Sequence, residues 1–123
     1  MKLSHNEEEI MVIIWQGKRV FAKDILDALP EPKPAATTVY TLLKRISDKG
    51  IIGYDIVNNI RCYYPLVKKE DYFSKEVKGM IASFFYNSTA QFASFFAKSS
   101  NLSIEELEEL RNIIDKEIDK KKN

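Results

Sequence analysis

Three prolines fall within five residues, at Pro30-Glu31-Pro32-Lys33-Pro34, and a helix cannot pass through them. Each proline lacks a backbone N–H and restricts the residue before it, so the segment is predicted to be a stiff, extended turn. The apolar residues on both sides of this turn have helical spacing. Two helices must therefore be joined here by a change of chain direction.

Capping signals and apolar spacing place three helices in the first half of the chain. The predicted helices run from the Ser4-x-x-Glu7 capping box to Gly17, from Ala22 to Leu29, and from Ala36 to Lys49. Arg19-Val20-Phe21, between the first two, is predicted to be a brief strand. Pro30 stops the second helix, and Gly50 can cap the third.

After the third helix the spacing of apolar residues changes from helical to alternating. Ile52 to Val57 and Ile60 to Tyr64 are predicted to be two strands of a hairpin, because Asn58-Asn59 tolerates the positive φ of a tight turn. The resulting order of helix, short strand, two helices and hairpin is that of a winged helix-turn-helix. The expected fold class is mainly α with a small β-hairpin wing.

In a winged helix the outward face of the third helix enters the DNA major groove, which is about 12 Å wide. The side chains predicted to lie on that face and reach base edges are Thr37, Tyr40, Thr41 and Lys44. Arg45 lies at the edge of this face, where phosphate contact is expected, and Asn58, Asn59 and Arg61 are the hairpin's candidates for contact with the DNA backbone.

The alternative is that this helix face is polar only because it meets water. A solvated face usually carries Glu/Lys pairs, whereas no carboxylate stands between Thr37 and Ser47, and one placed there would repel phosphate. Lys and Arg total 19 against 18 Asp and Glu, a net charge of +1. DNA binding would therefore depend on a local arrangement of side chains.

Composition argues against several other classes of protein. A single cysteine, Cys62, and a single histidine, His5, exclude an internal disulfide and argue against a structural zinc site, so we expect neither metal nor cofactor. The sequence marks no pair of titratable groups for catalysis and no small-molecule site, so no enzyme is expected. Because neither a signal peptide nor a membrane-spanning stretch of about 20 apolar residues is recognisable, the expected location is the cytoplasm.

From Asp71 onward the pattern is wholly helical and contains six of the seven phenylalanines. A separate helical unit of about 50 residues rarely buries enough apolar area to fold alone. Two copies sharing a core would resolve this, and the alternative is packing against the chain's own winged domain. We therefore predict a DNA-binding domain over residues 1–70 and a dimerisation domain over 71–123. The predicted dimer contacts are Phe84, Phe85, Phe92, Phe95, Phe96, Leu107, Leu110 and Ile114.

These motifs resemble the penicillinase-repressor and methicillin-regulator (BlaI/MecI-type) family of winged-helix repressors over nearly the whole chain. Leu3-Ser4-x-x-Glu7-x-x-Ile10-Met11-x-x-x-Trp15 resembles the family's opening signature. Thr38-Val39-x-Thr41-x-Leu43-x-Arg45-Ile46-x-x-Lys49-Gly50 resembles its recognition helix, which adds Thr38 to the DNA-contact candidates. Tyr63-x-Pro65, Phe85-Tyr86-Asn87 and Leu102-Ser103-x-x-Glu106-Leu107-x-x-Leu110 resemble the end of the wing, a helix junction and the last dimerisation helix.

The resemblance implies a homodimeric repressor of inverted-repeat operators, typically at antibiotic-resistance genes. It also implies induction through a membrane sensor-protease system, with cleavage between Asn and Phe in the dimerisation region. The corresponding pair here is Phe95-Phe96, so either the protease has another preference or release occurs in another way. The cysteines with which copper-responsive relatives bind metal near the C-terminus have no counterpart, so copper sensing is not expected.

Two departures from the family pattern lie close to the predicted DNA-contact residues. Pro34-Ala35 replaces an aromatic residue and a serine before the recognition helix, which predicts the loss of a helix cap. Asn58-Asn59 stands where the family's wing commonly carries Gly-Arg, with Arg61 as a substitute phosphate contact. The alternative function is a winged-helix module that binds a protein through its Thr/Tyr face, without DNA readout.

Overall fold

The computed structural model describes residues 2–123. Their secondary-structure elements are α1 (His5–Gly17), β1 (Val20–Phe21), α2 (Ala22–Ala28), α3 (Ala36–Asp48), β2 (Ile52–Val57), β3 (Ile60–Pro65), α4 (Lys69–Phe84), α5 (Thr89–Ser99) and α6 (Ile104–Lys122). This order confirms the predicted fold class, and the elements from α1 to β3 begin and end within one or two residues of the positions expected from sequence. The chain divides into two compact units between Glu76 and Val77.

The three strands form one antiparallel sheet in the order β1-β3-β2. The hairpin pairs β2 with β3 from Ile52 opposite Pro65 to Val57 opposite Ile60. Its turn has positive φ at both central residues, 52° at Asn58 and 65° at Asn59, as the sequence predicted. Residues 54–61 around this turn are all exposed, so the end of the hairpin forms a wing at the surface of the first unit.

The apolar face of α3 is fixed in the core of the first unit. Val39, Leu42, Leu43 and Ile46 are buried, and they belong to one cluster with apolar residues of α1, α2 and the sheet. Burying each such side chain contributes about 1.5–3 kcal/mol. Because these four positions face inward, the threonine-rich side of the same helix is held toward solvent.

An ion pair between the buried Glu7 and the partly buried Lys49 joins the start of α1 to the end of α3. Glu7 Oε1 accepts hydrogen bonds from the Ser4 backbone N–H at 2.7 Å and from Lys49 Nζ at 2.6 Å, and Ser4 Oγ accepts from the Glu7 N–H at 3.2 Å. Burial disfavours the charged carboxylate, but the bonds from Lys49 and Ser4 outweigh it, so the pKa of Glu7 lies below its ordinary value. The predicted capping box is therefore present and carries an additional cation.

The first turns of α4 pack within the first unit. The Leu3 backbone N–H donates to Tyr72 Oη at 2.9 Å, and Trp15 Nε1–H donates to the Val67 carbonyl at 2.9 Å. The Trp15 ring lies 5.9 Å from Tyr72 and 5.7 Å from Phe73 between centroids. Burial raises the pKa of Tyr72. These contacts explain why the first unit extends to Glu76.

The second unit, Val77–Asn123, contains no buried residue among those described. Phe85 lies 5.5 Å from Phe92 and 5.4 Å from Phe95 between ring centroids, so the phenylalanines cluster without being enclosed. Ser88 caps α5, and Ser103 with Glu106 forms a capping box at the start of α6. These helices are well defined locally but leave their apolar faces open.

Within residues 2–123, no helix combines the length and the apolar character needed to cross a membrane.

Candidate nucleic-acid interface

The six side chains predicted on α3 all lie on its exposed side. They are Thr37, Thr38, Tyr40, Thr41, Lys44 and Arg45. Tyr40 is 53% exposed, which is high for a tyrosine and leaves its ring and hydroxyl free to meet a partner. Thr41 Oγ1 donates to the Thr37 carbonyl at 2.9 Å, so its methyl group and oxygen lone pairs remain for contact with a base edge.

One carboxylate, that of Asp48, lies on α3 just beyond the stretch from Thr37 to Ser47, which contains none. Lys44 Nζ lies 3.1 Å from Asp48 Oδ2, one turn further along α3. Both side chains are largely exposed, at 76% and 65%, and such surface pairs contribute only about 0–1 kcal/mol. A phosphate oxygen can therefore compete with Asp48 for Lys44.

The start of α1 adds a residue that the sequence did not indicate. Asn6 shares the lining of a groove of about 290 Å³ with Thr38, Thr41 and Arg45 of α3. Its amide can donate and accept hydrogen bonds in the groove that Arg45 also lines. The only local signal was its place two residues after the Ser4 cap, because the approach of α1 to α3 is set by packing.

Arg61 lies on the side of the hairpin nearer α3. A second groove, of about 400 Å³, has Tyr40, Lys44, Tyr54 and Arg61 in its lining. The Arg61 guanidinium carbon is 4.3 Å from the centroid of the Tyr54 ring, within cation–π range. The structure thus brings the hairpin arginine to the same groove as two recognition-helix candidates. Asn58 and Asn59 do not line this groove, and their left-handed conformation forms the turn instead.

Arg19 is also near the hairpin but is already paired. Its guanidinium lies 2.7 Å from Asp55 Oδ2 and 5.4 Å from the Tyr64 ring centroid. The hydrogen bond to Asp55 raises the pKa of Arg19. Its charge is therefore compensated, in contrast to that of Arg61.

The N-terminus of α3 lacks a side-chain cap, as the sequence predicted. Ala35 occupies the cap position with φ −66° and ψ 150°, and no side chain accepts from the first turn. The Thr38 N–H instead bonds to the Ala35 carbonyl at 3.0 Å.

Over residues 2–123, no group of three or more His, Cys, Asp and Glu residues is placed to hold a metal ion.

Comparison of the sequence with known proteins assigns the chain to a family. The family model described as penicillinase repressor matches residues 3–116. The chain belongs to the penicillinase repressor family. The chain is 34% identical over 116 residues to the methicillin resistance regulatory protein MecI of Staphylococcus aureus strain N315. These residues are 94% of each of the two chains.

Two further relatives carry the name penicillinase repressor. That of Staphylococcus aureus is 31% identical over 115 residues, which are 93% of this chain and 91% of the relative. That of Bacillus licheniformis is 23% identical over 122 residues, which are 98% and 95% of the two chains. The recognised family is therefore confirmed. As a member of it, the protein is a transcriptional repressor and not an enzyme.

Proposed function

We propose that this repressor binds inverted-repeat operator DNA as a homodimer, with α3 in the major groove and the hairpin along the sugar-phosphate backbone. The observation that carries this proposal is the exposed threonine-rich face of α3, held outward by its buried apolar side. Threonine methyl and hydroxyl groups and the Tyr40 ring suit base edges, and Lys44 and Arg45 suit phosphates. A dimer would place two such helices about 34–36 Å apart, in successive major grooves.

The first test selects a duplex from a random-sequence pool with the wild-type protein and measures its affinity by gel shift over a series of salt concentrations. Lys44→Ala and Arg45→Ala should each weaken binding and lower the slope of log K against log salt by about one. Tyr40→Ala and Thr41→Ala should change the preferred sequence. Lys120→Ala, which removes an exposed cation on α6, is the control and should leave both properties unchanged.

Unchanged affinity and sequence preference in all four α3 variants would remove the assignment of α3 as the recognition helix. A salt-insensitive complex with a protein, without enrichment of any duplex, would instead favour the interaction module. The near-neutral net charge of +1 is compatible with either partner, so the salt dependence decides between them.

Dimerisation through the second unit is the proposed source of two-fold symmetry. Its apolar residues are unusually exposed for a folded unit, including Phe84 at 76%, Phe95 at 55% and Ile114 at 56%. A second copy presenting the same faces would cover them in a shared core, as in obligate dimers. The proposed contacts are Phe84, Phe85, Phe92, Phe95, Phe96, Leu107, Leu110 and Ile114.

Release of the operator by proteolysis is proposed on the family resemblance. The Phe95-Phe96 bond lies within α5, and both side chains are exposed. Cleavage there would cut the unit that joins the two DNA readers and would lower their joint affinity. A membrane sensor-protease system is the proposed partner, antibiotic-resistance genes are the proposed targets, and the cytoplasm is the proposed location. If this bond is not cut, release occurs by another route.

A further inference from the structure

Two arginines near the hairpin each lie over a tyrosine ring, but only one of them is neutralised. Arg19 lies over Tyr64 and is paired with Asp55 at 2.7 Å. Arg61 lies closer to its ring, 4.3 Å from the centroid of Tyr54, and forms no ion pair within residues 2–123. The hairpin thus presents one compensated and one uncompensated guanidinium.

The strand register separates the two arginines. Tyr54 is opposite Tyr63 and Ile56 is opposite Arg61, so Tyr54 and Arg61 are diagonal neighbours on one face. Asp55, which holds Arg19, points to the other face because successive side chains alternate. Tyr54 and Arg61 both line the groove of about 400 Å³ along α3, and the paired Lys44 and Asp48 are also in its lining.

We propose that Tyr54 is a positioning residue that holds Arg61 ready to bind a DNA phosphate in this groove, an inference that rests on the proposed function. The ring covers one flat side of the guanidinium and leaves its in-plane N–H groups free for two hydrogen bonds to phosphate oxygens. Restraining the side chain before binding reduces the conformational entropy lost in the complex. The stacked pair would then supply the hairpin's phosphate contact within this groove.

The test is a double-mutant cycle on the duplex selected by the wild-type protein, with affinity measured by fluorescence anisotropy over a salt series. Arg61→Ala should weaken binding and lower the salt slope by about one. Tyr54→Leu should weaken binding roughly two- to fivefold, as expected for an exposed cation–π contact. Tyr54→Leu should have little further effect when Arg61 is already alanine, because its role acts through Arg61. Tyr54→Phe keeps the ring and should bind as the wild type does.

Arg19→Ala is the matched control, since it removes an arginine that also lies over a tyrosine but is held by Asp55 on the other face of the hairpin, outside the groove along α3. It should leave the salt slope unchanged. Thermal unfolding of each variant identifies any that fails to fold, and Tyr54→Phe keeps the cycle interpretable in that case. Equal losses from Tyr54→Leu with and without Arg61, or an unchanged slope in Arg61→Ala, would overturn the inference. The proposed function would survive that result if the α3 variants still lose binding. Failure of the wild-type protein to enrich any duplex would overturn both.

Discussion

Glu7 is the only charged side chain buried among residues 2–123. Its side chain is 2% exposed, while that of its partner Lys49 is 25% exposed. A charge removed from water is costly unless it is paired and hydrogen-bonded, and Glu7 Oε1 meets both conditions. Its second oxygen, Oε2, has no hydrogen-bond partner within the described residues. The carboxylate therefore links helix capping to the packing of α1 against α3.

Glu7→Gln should destabilise the protein by about 1–3 kcal/mol at neutral pH, because it replaces the carboxylate with a neutral amide and leaves the charge of Lys49 without a counter-charge. Urea unfolding at fixed protein concentration measures this loss. Glu106→Gln is the matched control, since Glu106 holds the same capping-box position in α6 but is exposed. Equal losses in the two variants would contradict a special role for the buried pair.

The same pair predicts a dependence of stability on pH. The folded pKa of Glu7 lies below its ordinary value of 4.5, so its contribution is present above that value and is lost as the pH falls through the folded pKa. The stability difference between the wild type and Glu7→Gln should therefore shrink on acidification below about pH 4.5. A difference that stays constant down to about pH 3 would show that ionisation of Glu7 is not its cause.

Among the elements, α3 has one face buried in the core and the opposite face exposed to solvent.

The proline-rich turn before α3 is held in place by Lys33. Lys33 Nζ donates to the carbonyls of Leu26, Asp27 and Leu29 at 2.9, 3.1 and 2.7 Å. These bonds satisfy acceptors at the end of α2, where a helix leaves its carbonyls unpaired. The proline-rich turn is thus fastened to α2 before α3 begins.

Ala35→Ser should stabilise the first unit by about 1 kcal/mol, because the cap position of α3 has suitable backbone angles and no side-chain acceptor. The introduced hydroxyl oxygen would accept a hydrogen bond from the Thr38 N–H. Ala36→Ser, one residue later and inside the helix, is the control and should not stabilise it. A shift of the urea midpoint measures the effect, and equal shifts in both variants would argue against capping.

At the level of the whole molecule, the two units differ in how far their apolar side chains are buried. The first has a continuous core that includes Ile10, Ile14, Leu43 and Ile46. The second has locally capped helices and exposed apolar side chains, which a folded unit leaves open at a cost in stability. Dimerisation would resolve this difference and would also couple the fold of the second unit to operator binding.

Ile114→Asp should shift the protein from dimer to monomer, because it places a charge among the exposed apolar residues of α6. Sedimentation equilibrium should give twice the 14.2 kDa chain mass for the wild type and a lower mass for the variant. Lys116→Asp introduces the same side chain at a neighbouring exposed position of α6 and should remain dimeric. A wild type that is monomeric at micromolar concentration would contradict the proposed dimer.

The helices, the hairpin and the division of α3 into a buried and an exposed face could all be predicted from the order of the amino acids. Helical and alternating spacing, caps and Asn58-Asn59 act within a few residues, so they can be recognised along the chain. The family motifs were recognisable for the same reason, since each is a short pattern.

The meeting of distant residues, in contrast, depends on how the elements pack in three dimensions. Glu7 and Lys49 are 42 positions apart, and Arg19 and Asp55 are 36 apart. Asn6 and Arg45 line one groove because of how α1 packs against α3. Arg61 and Lys44 line another because of how the hairpin packs against α3. Local spacing sets which side of an element is apolar, but the approach of two elements is set by the shapes of the side chains between them.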